Sequence, residues 1–451
     1  LLFTSLEGKS VTYNLELPEQ VFFHSLASLV VIIIAHSFYQ FLVKISYKRR
    51  FLLMTKVGLF TPPTDLQLWL MGLAGVGATF YIFFMVPEVG AGVTTGSALD
   101  KVIQGLLPFS YAPYFILVGK LYGRDSKRGP LVAPLLIVFT IALFAVSIGR
   151  NSRGAFMFGF TSLAFAYGLG LLLGFYKTRL FTIRNAILAT IFFWLLTGPM
   201  ADLGTAMVIV RGEQQEIPAS ELIDLTLDAY GDKEAIRQRR LDDLSSGWEL
   251  DWDERFLDNV FTTRFANLKF NDMSLVMASK LDEYDPDMLS HSIDYFLGAL
   301  PEPFLKAFNF DVDKEQLYSM SMGDYLYLIT GGQGYIESFR TGHFAGTGLA
   351  TFGWWYLLVL GVAMVPIFIL FDLFFKTIPS SGEEGNQKIR FSCCGLLALT
   401  LIWGFLPNES VVSLGIFLVR GWLQLTLLYL LLFYFTWLVS SPAKFKVRWG
   451  S

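Results

Sequence analysis

The sequence predicts an all-α polytopic membrane protein, a helical bundle of nine visible spans with one large, mostly helical external loop. Three observations predict it. The 451 residues are 53% hydrophobic, 43 of them Phe, with a mean hydropathy of +0.50. That is more apolar surface than a soluble domain hides. The apolar residues come in runs of about 20, the length of a bilayer-crossing helix, rather than in alternating pieces of about ten that would build a barrel. Polar residues gather in one place: 26 of the 38 acidic and 12 of the 35 basic residues lie between Arg211 and Ala350. That stretch is acidic by 14 charges and the remainder basic by 11.

In chain order, residues 1–210 form an N-terminal bundle with spans near 21–43, 67–87, 103–119, 130–149, 154–175 and 186–209. Residues 211–350 form an extracytoplasmic acidic cap, and 351–451 carry spans near 351–375, 391–407 and 411–437. Basic residues mark alternate ends: Lys44, Lys48, Arg49 and Arg50; Lys120, Arg124, Lys127 and Arg128; Lys177, Arg179 and Arg184; Lys376, Lys388 and Arg390; Lys444, Lys446 and Arg448. Basic loops stay cytoplasmic, so the C-terminus is expected inside and the acidic segment outside. An external N-terminus requires a removed signal segment or an earlier span. The apolar stub Leu1-Leu2-Phe3 fits the tail of such a span, for ten or more in full.

Within the cap, Leu222, Ile223, Leu225 and Leu227 recur at helical spacing, predicting one soluble helix over 218–245. Aromatic-rich pieces follow at 252–270 and 291–310, and Pro301-Glu302-Pro303 marks a turn. The aromatics of Asp324-Tyr325-Leu326-Tyr327 suit interface packing or a sugar cleft.

No basic stripe suggests nucleic acid. Cys393 and Cys394 are adjacent in an apolar run and read as packing or lipid-facing residues. No P-loop, HExxH, GxSxG or zinc spacing occurs, and no cytoplasmic segment is long enough for an ATPase. No cofactor or metal is expected, and any chemistry is expected outside, without nucleotide.

Charges near lipid depth are costly and usually functional. Arg150 and Arg153 flank Asn151-Ser152 at an external end, and Arg153 opens a span running inward. Its guanidinium and the free N–H groups of the helix start suit an anion; headgroup contact is the plainer use. Arg420 lies roughly 13 Å of helix below the outer end of the last span. It suits either an anion or a bridge to Glu409. Glu337, Arg340 and His343 lead to the seventh span among glycines, with His343 a candidate general base or simply a solvated side chain. Arg211 leaves the sixth span toward headgroups or substrate, and Arg264 suits substrate or a local salt bridge. Asp202 is a candidate acid or the cap of a kinked helix. His24 and His36 read as span-lining and His291 as a loop-surface residue.

Three short motifs, in this order and sidedness, carry a resemblance. They are the Ser152-Arg153-Gly154 turn opening a span, the external loop ending at Phe352-Gly353-Trp354-Trp355, and Arg420 after Phe417-Leu418-Val419. The chain resembles the Wzy-type oligosaccharide repeat-unit polymerases (O-antigen and exopolysaccharide polymerases), related to the O-antigen ligases. The resemblance implies a GT-C-like bundle in a bacterial inner membrane with the large loop periplasmic. It implies inverting glycosyl transfer between undecaprenyl-pyrophosphate-linked oligosaccharides at the outer face, with a polysaccharide chain-length regulator as a conceivable further partner. Arginines would stabilise the leaving diphosphate: Arg153 and Arg420 first, then Arg264 and Arg340, with Arg150 and Arg211 beside them. His343, Glu337 or Glu409 would take the acceptor proton. The paired Arg-loop motifs of some polymerases do not fit at their usual spacing. An external His is a ligase trait, so a ligase remains the alternative. A lipid-linked oligosaccharide flippase is a third reading, against which stand the outward clustering of charge and the lack of a repeat.

Overall fold

A computed structural model describes residues 2–46, 51–85, 98–124, 129–149, 153–177, 182–210, 219–245, 252, 256–257, 268–318, 320–332, 340–379, 387–399 and 410–440. The longer helices are α1 (Pro18–Ser46), α2 (Asp65–Phe80), α3 (Val132–Gly149), α4 (Arg153–Leu172), α5 (Ile183–Thr197), α6 (Pro199–Ile209), α7 (Ala219–Gly231), α8 (Lys233–Ser245), α9 (Leu268–Ala278), α10 (Pro286–Gly298), α11 (Met322–Ile329), α12 (Phe344–Phe352), α13 (Tyr356–Asp372) and α14 (Trp422–Ser440). The protein is mostly helical. Among the described residues, five helical stretches are long and apolar enough to cross a bilayer: Pro18–Lys44, Lys101–Tyr122, Ile183–Ile209, Phe344–Asp372 and Val412–Ser440. Val132–Ser147 and Gly159–Leu172 are apolar but shorter. Five of the nine expected spans are thus carried by such stretches among the described residues, and residues 400–409 of the span expected near 391–407 lie outside them. Outward-facing Leu26, Leu29, Ile33 and Phe41 on α1, and Ile187, Phe192 and Trp194 on α5, remain exposed, as lipid-facing residues do.

The all-α expectation needs one correction. β1 (Phe375–Pro379) pairs antiparallel with β2 (Gln387–Phe391), placing Lys376 opposite Arg390 and Thr377 opposite Ile389. Only β2 alternates, as Lys388-Ile389-Arg390-Phe391, while β1 reads Phe375-Lys376-Thr377-Ile378-Pro379, so the pattern is too short and uneven to announce a strand pair.

Residues cluster in two compact units. One holds Tyr39–Thr178, Pro366–Gly404 and Gly421–Ser451. Its centre is α2 against a 3-10 stretch, Leu107–Tyr122, where Pro113 cannot donate an N–H and Val118 leaves helical geometry. Thr64 caps α2 and receives Gln67 in a capping box, while Gln67 Nε2 donates to the Phe433 carbonyl at 3.1 Å. Met71, Phe109, Phe115, Tyr122 and Tyr429 fill the core, with both cysteines buried as free thiols. That agrees with reading them as packing residues.

The other unit holds Leu1–Phe38, Arg179–Val365 and Phe405–Arg420. Its hub is α9, nine of whose eleven residues are buried. Lys269 Nζ lies 2.9 Å from Asp272 Oδ2 and donates to the Asn14 carbonyl at 2.6 Å. The Asp272 carboxylate accepts the N–H groups of Glu16 (3.0 Å) and Leu17 (2.8 Å), which precede α1. Asn271 donates to α1 at the Val21 carbonyl and Ser25 Oγ. On its other side, α9 packs on α12, where a Cβ at Gly346 would strike Ser274.

The single helix expected over 218–245 is two. Gly231-Asp232 interrupts it, and Asp232 Oδ1 accepts the N–H groups of Glu234 and Ala235 at the start of α8. Both helices pack on α6. Asp202, in the first turn of α6 beyond the break at Gly198, pairs with Lys233 at 2.9 Å and Arg240 at 2.8 Å. The Pro301 turn begins a short helix, Glu302–Ala307.

Removing the Asp272 side chain strands the Lys269 charge in the interior. Asp272→Ala should lower stability by about 3–5 kcal/mol, read as a loss of melting temperature in detergent. On α2, Gly75→Ala should destabilise because its Cβ would strike the Phe109–Ser110 backbone. Gly77→Ala faces open space and should stabilise by about 0.5–1 kcal/mol. The same melting experiment compares the two.

Candidate functional site

A cavity of about 570 Å³ lies within the unit built on α9, a usual volume for a small-ligand pocket. The first turns of α1 supply Glu19, Gln20, Phe23 and His24, a spacing that lines up on one helical face. The end of α9 and the following loop supply Ala278, Ser279, Leu281, Asp282 and Glu283. The end of α12 supplies Leu349 and Ala350, and Trp354 closes the wall.

The aromatic wall is fixed by direct contacts. His24 stacks on Trp354 at 4.9 Å with ring planes 9° apart, and Phe23 meets Trp354 edge-on at 5.8 Å. His24 Nδ1 shares a 2.7 Å hydrogen bond with the Tyr356 hydroxyl. With Nδ1 so engaged, Nε2 of this buried ring has no partner among the described residues. Trp354 is 45% exposed, so much of the indole stays open.

The acidic rim depends on an unusual backbone. Tyr284 adopts a left-handed conformation (φ 67°), costly for a bulky L-residue. Its ring lies against Gly353 (φ 53°), where an added Cβ would come within 2.8 Å of the ring. The Asp285 N–H donates to the Ala350 carbonyl at 3.0 Å, and the Asp285 side chain caps α10 through the Met288 N–H. The turn so pinned presents Asp282 and Glu283 across from Glu19, all three exposed. The lining thus carries three carboxylates and no lysine or arginine.

The residues singled out from sequence lie elsewhere. His343 is 8% exposed and caps α12: its Nδ1 accepts the Ala345 N–H at 3.2 Å, and its backbone exchanges hydrogen bonds with Ser274. Burial first, and His24 second, push its pKa down from 6.5 to about 3. The ring is therefore neutral and interior rather than a surface base. Arg340 lies 2.9 Å from the buried Asp324 and 4.0 Å over the Tyr327 ring. Asp324 also completes a capping box with Ser321, so the Arg340 charge is matched inside the protein. Arg420 is half-buried in a π-helical turn, Phe417–Gly421, a local widening frequent at functional sites. Arg153 begins α4 in the other unit. Arg150, Arg211, Arg264, Glu337 and Glu409 lie outside the described residues. His291, expected on a loop, sits on α10 and stacks on Tyr325 at 3.6 Å.

Sequence reading missed Glu19, Phe23, Asp282 and Glu283, and took His24 for a span-lining residue. One usable signal was a Glu-Gln-x-x-Phe-His sequence at the start of an apolar run, with polar and aromatic groups on one face. Among the described residues, no group of three or more His, Cys, Asp or Glu converges as a metal cage. No family model, curated protein or solved structure matches the chain.

The buried His343 makes stability pH-dependent. The folded ring takes a proton only near pH 3, whereas the unfolded one does so near 6.5. Acid therefore favours unfolding: this contribution is complete above pH 6.5 and falls as pH drops toward 3. The slope approaches about 1.4 kcal/mol per pH unit. His343→Asn, which caps without titrating, should flatten the fall in melting temperature between pH 6.5 and 4.5.

Proposed function

We propose that the protein is a membrane glycosyltransferase that joins lipid-linked oligosaccharide units, as the Wzy-type polymerases it resembles do. The observation that carries this reading is the cavity at the start of α1, with an open indole on one wall and carboxylates on the rim. The apolar face of a pyranose ring suits an indole, and sugar hydroxyls donate to carboxylates. The basic-loop orientation puts this end of α1 on the non-cytosolic side. A lipid-linked glycan would present its sugars there while its polyprenyl tail stays in the bilayer.

The transfer has simple requirements. An acceptor hydroxyl oxygen forms the new bond to the anomeric carbon. The bond from that carbon to the diphosphate oxygen breaks, and its electron pair leaves with the diphosphate. The hydroxyl proton passes to a carboxylate, for which Glu19, Asp282 and Glu283 are placed. Of the cations singled out in the sequence, Arg420 would steady the diphosphate; Arg340 is held by Asp324. His343 then serves to hold α12 and the Trp354 wall.

In cells lacking the protein and re-expressing variants, Trp354→Ala should cut polymer formation about tenfold. The triple change Glu19→Gln, Asp282→Asn and Glu283→Gln should cut it about a hundredfold or more. Single lipid-linked repeat units should accumulate in both. Unchanged polymer length in both variants rules the reading out. Long glycan stranded on the carrier would indicate a ligase instead.

A further inference from the structure

We infer that the cavity is the acceptor subsite and that it admits a sugar without anionic groups, neutral or amine-bearing, while rejecting uronic or otherwise acidic sugars and the diphosphate. This rests on the glycan-joining reading above and names the substrate class of that site.

The argument is one of charge without counter-charge. Three carboxylates border the cavity, and its lining holds neither lysine nor arginine. Among the described residues, four cations elsewhere in the same unit are held by carboxylates of their own: Lys269 by Asp272, Arg340 by Asp324, and Lys233 and Arg240 by Asp202. Lys280, next to the rim loop, is exposed and is not part of the lining. An acidic sugar would bring a like charge to each approach, and a diphosphate more than one. A neutral ring meets no such penalty, and an ammonium gains both from the carboxylates and from the open face of Trp354.

A second observation points to a ligand independently of the acids. His24 is 2% exposed and lines the cavity, yet its Nε2 has no partner among the described residues. That nitrogen is not sealed off, and a sugar hydroxyl reaching it can donate to it or accept from it. The stack covers one face of the Trp354 indole with His24, so a sugar ring resting on the indole takes the other face. The site therefore offers a hydroxyl partner at His24 and charge at its rim.

The test uses the full chain in lipid nanodiscs and calorimetric titration with three probes of similar size. These are an N-acetylglucosamine trimer, its fully deacetylated glucosamine counterpart, and a galacturonic acid trimer. The neutral and amine-bearing trimers should bind, the latter about three- to tenfold tighter at low salt, with the difference fading as the Debye length shrinks. The acidic trimer should bind at least about tenfold more weakly than the neutral one. Glu19→Gln with Asp282→Asn and Glu283→Gln should bring the three affinities together, and His24→Phe should weaken all three alike. Equal binding of acidic and neutral trimers by the unaltered protein overturns the inference and leaves the glycan reading standing. Failure of all three probes to bind overturns both.

Discussion

A buried ion pair, Lys269 with Asp272, is the constraint on which the site depends. Each side chain is at most 1% exposed, so water contributes nothing to holding either charge. What makes the arrangement tolerable is completeness. Lys269 has Asp272 and the Asn14 carbonyl, and Asp272 has Lys269 and two backbone N–H groups. A buried charge with its partners in place is stable, and one without them is not. Because those N–H groups belong to Glu16 and Leu17, the entry to α1 is fixed relative to α9. Asn271 repeats the grip one turn further along α1. Both walls of the cavity are thereby tied to one helix.

The same logic explains where the cations are. Charge in an apolar chain invites a functional reading, yet Arg340 and Lys269 answer to carboxylates of their own unit, and Asp202 answers to Lys233 and Arg240. Within the acidic segment, Asp232, Asp272, Asp285 and Asp324 are used internally, in helix caps and ion pairs. At the cavity rim, Glu19, Asp282 and Glu283 stand exposed with no lysine or arginine in the lining. The division is chemically sensible for transfer between two lipid-linked glycans, since an acceptor needs a proton taken from it and a donor needs its leaving group steadied.

Much of the helical framework was legible because lipid imposes a length on apolar runs, and α1 and α13 appear close to where the sequence puts them. The kink before Asp202 was legible from Pro199, but other interruptions were not. The π-helical turns at Tyr81–Met85 and Phe417–Gly421 and the division of α7 from α8 change the path without changing the hydropathy. The hairpin was hidden because its strands are five residues each and only β2 alternates. For the site, sequence showed which residues carry charge but not which charges cancel. Asp272 meets Glu16 across 256 positions, and no local pattern reports such a pairing. Trp354 stood in a noted motif, but its stacking partner His24 is 330 residues away, so the platform became visible only in three dimensions.

Tyr284 carries a consequence for how this protein tolerates sequence drift. Its backbone conformation is one that glycine adopts freely, so the tyrosine is retained against an intrinsic preference through its ring's contact with Gly353. The two positions are coupled in opposite senses. A small side chain at 284 keeps the conformational cost and forfeits the contact, and any side chain at 353 collides with the ring. Position 353 is held to glycine twice over, by the Tyr284 ring and by its own backbone (φ 53°, ψ −145°), so it stays glycine even where 284 changes, whereas glycine at 284 would relieve the strain there and give up the contact.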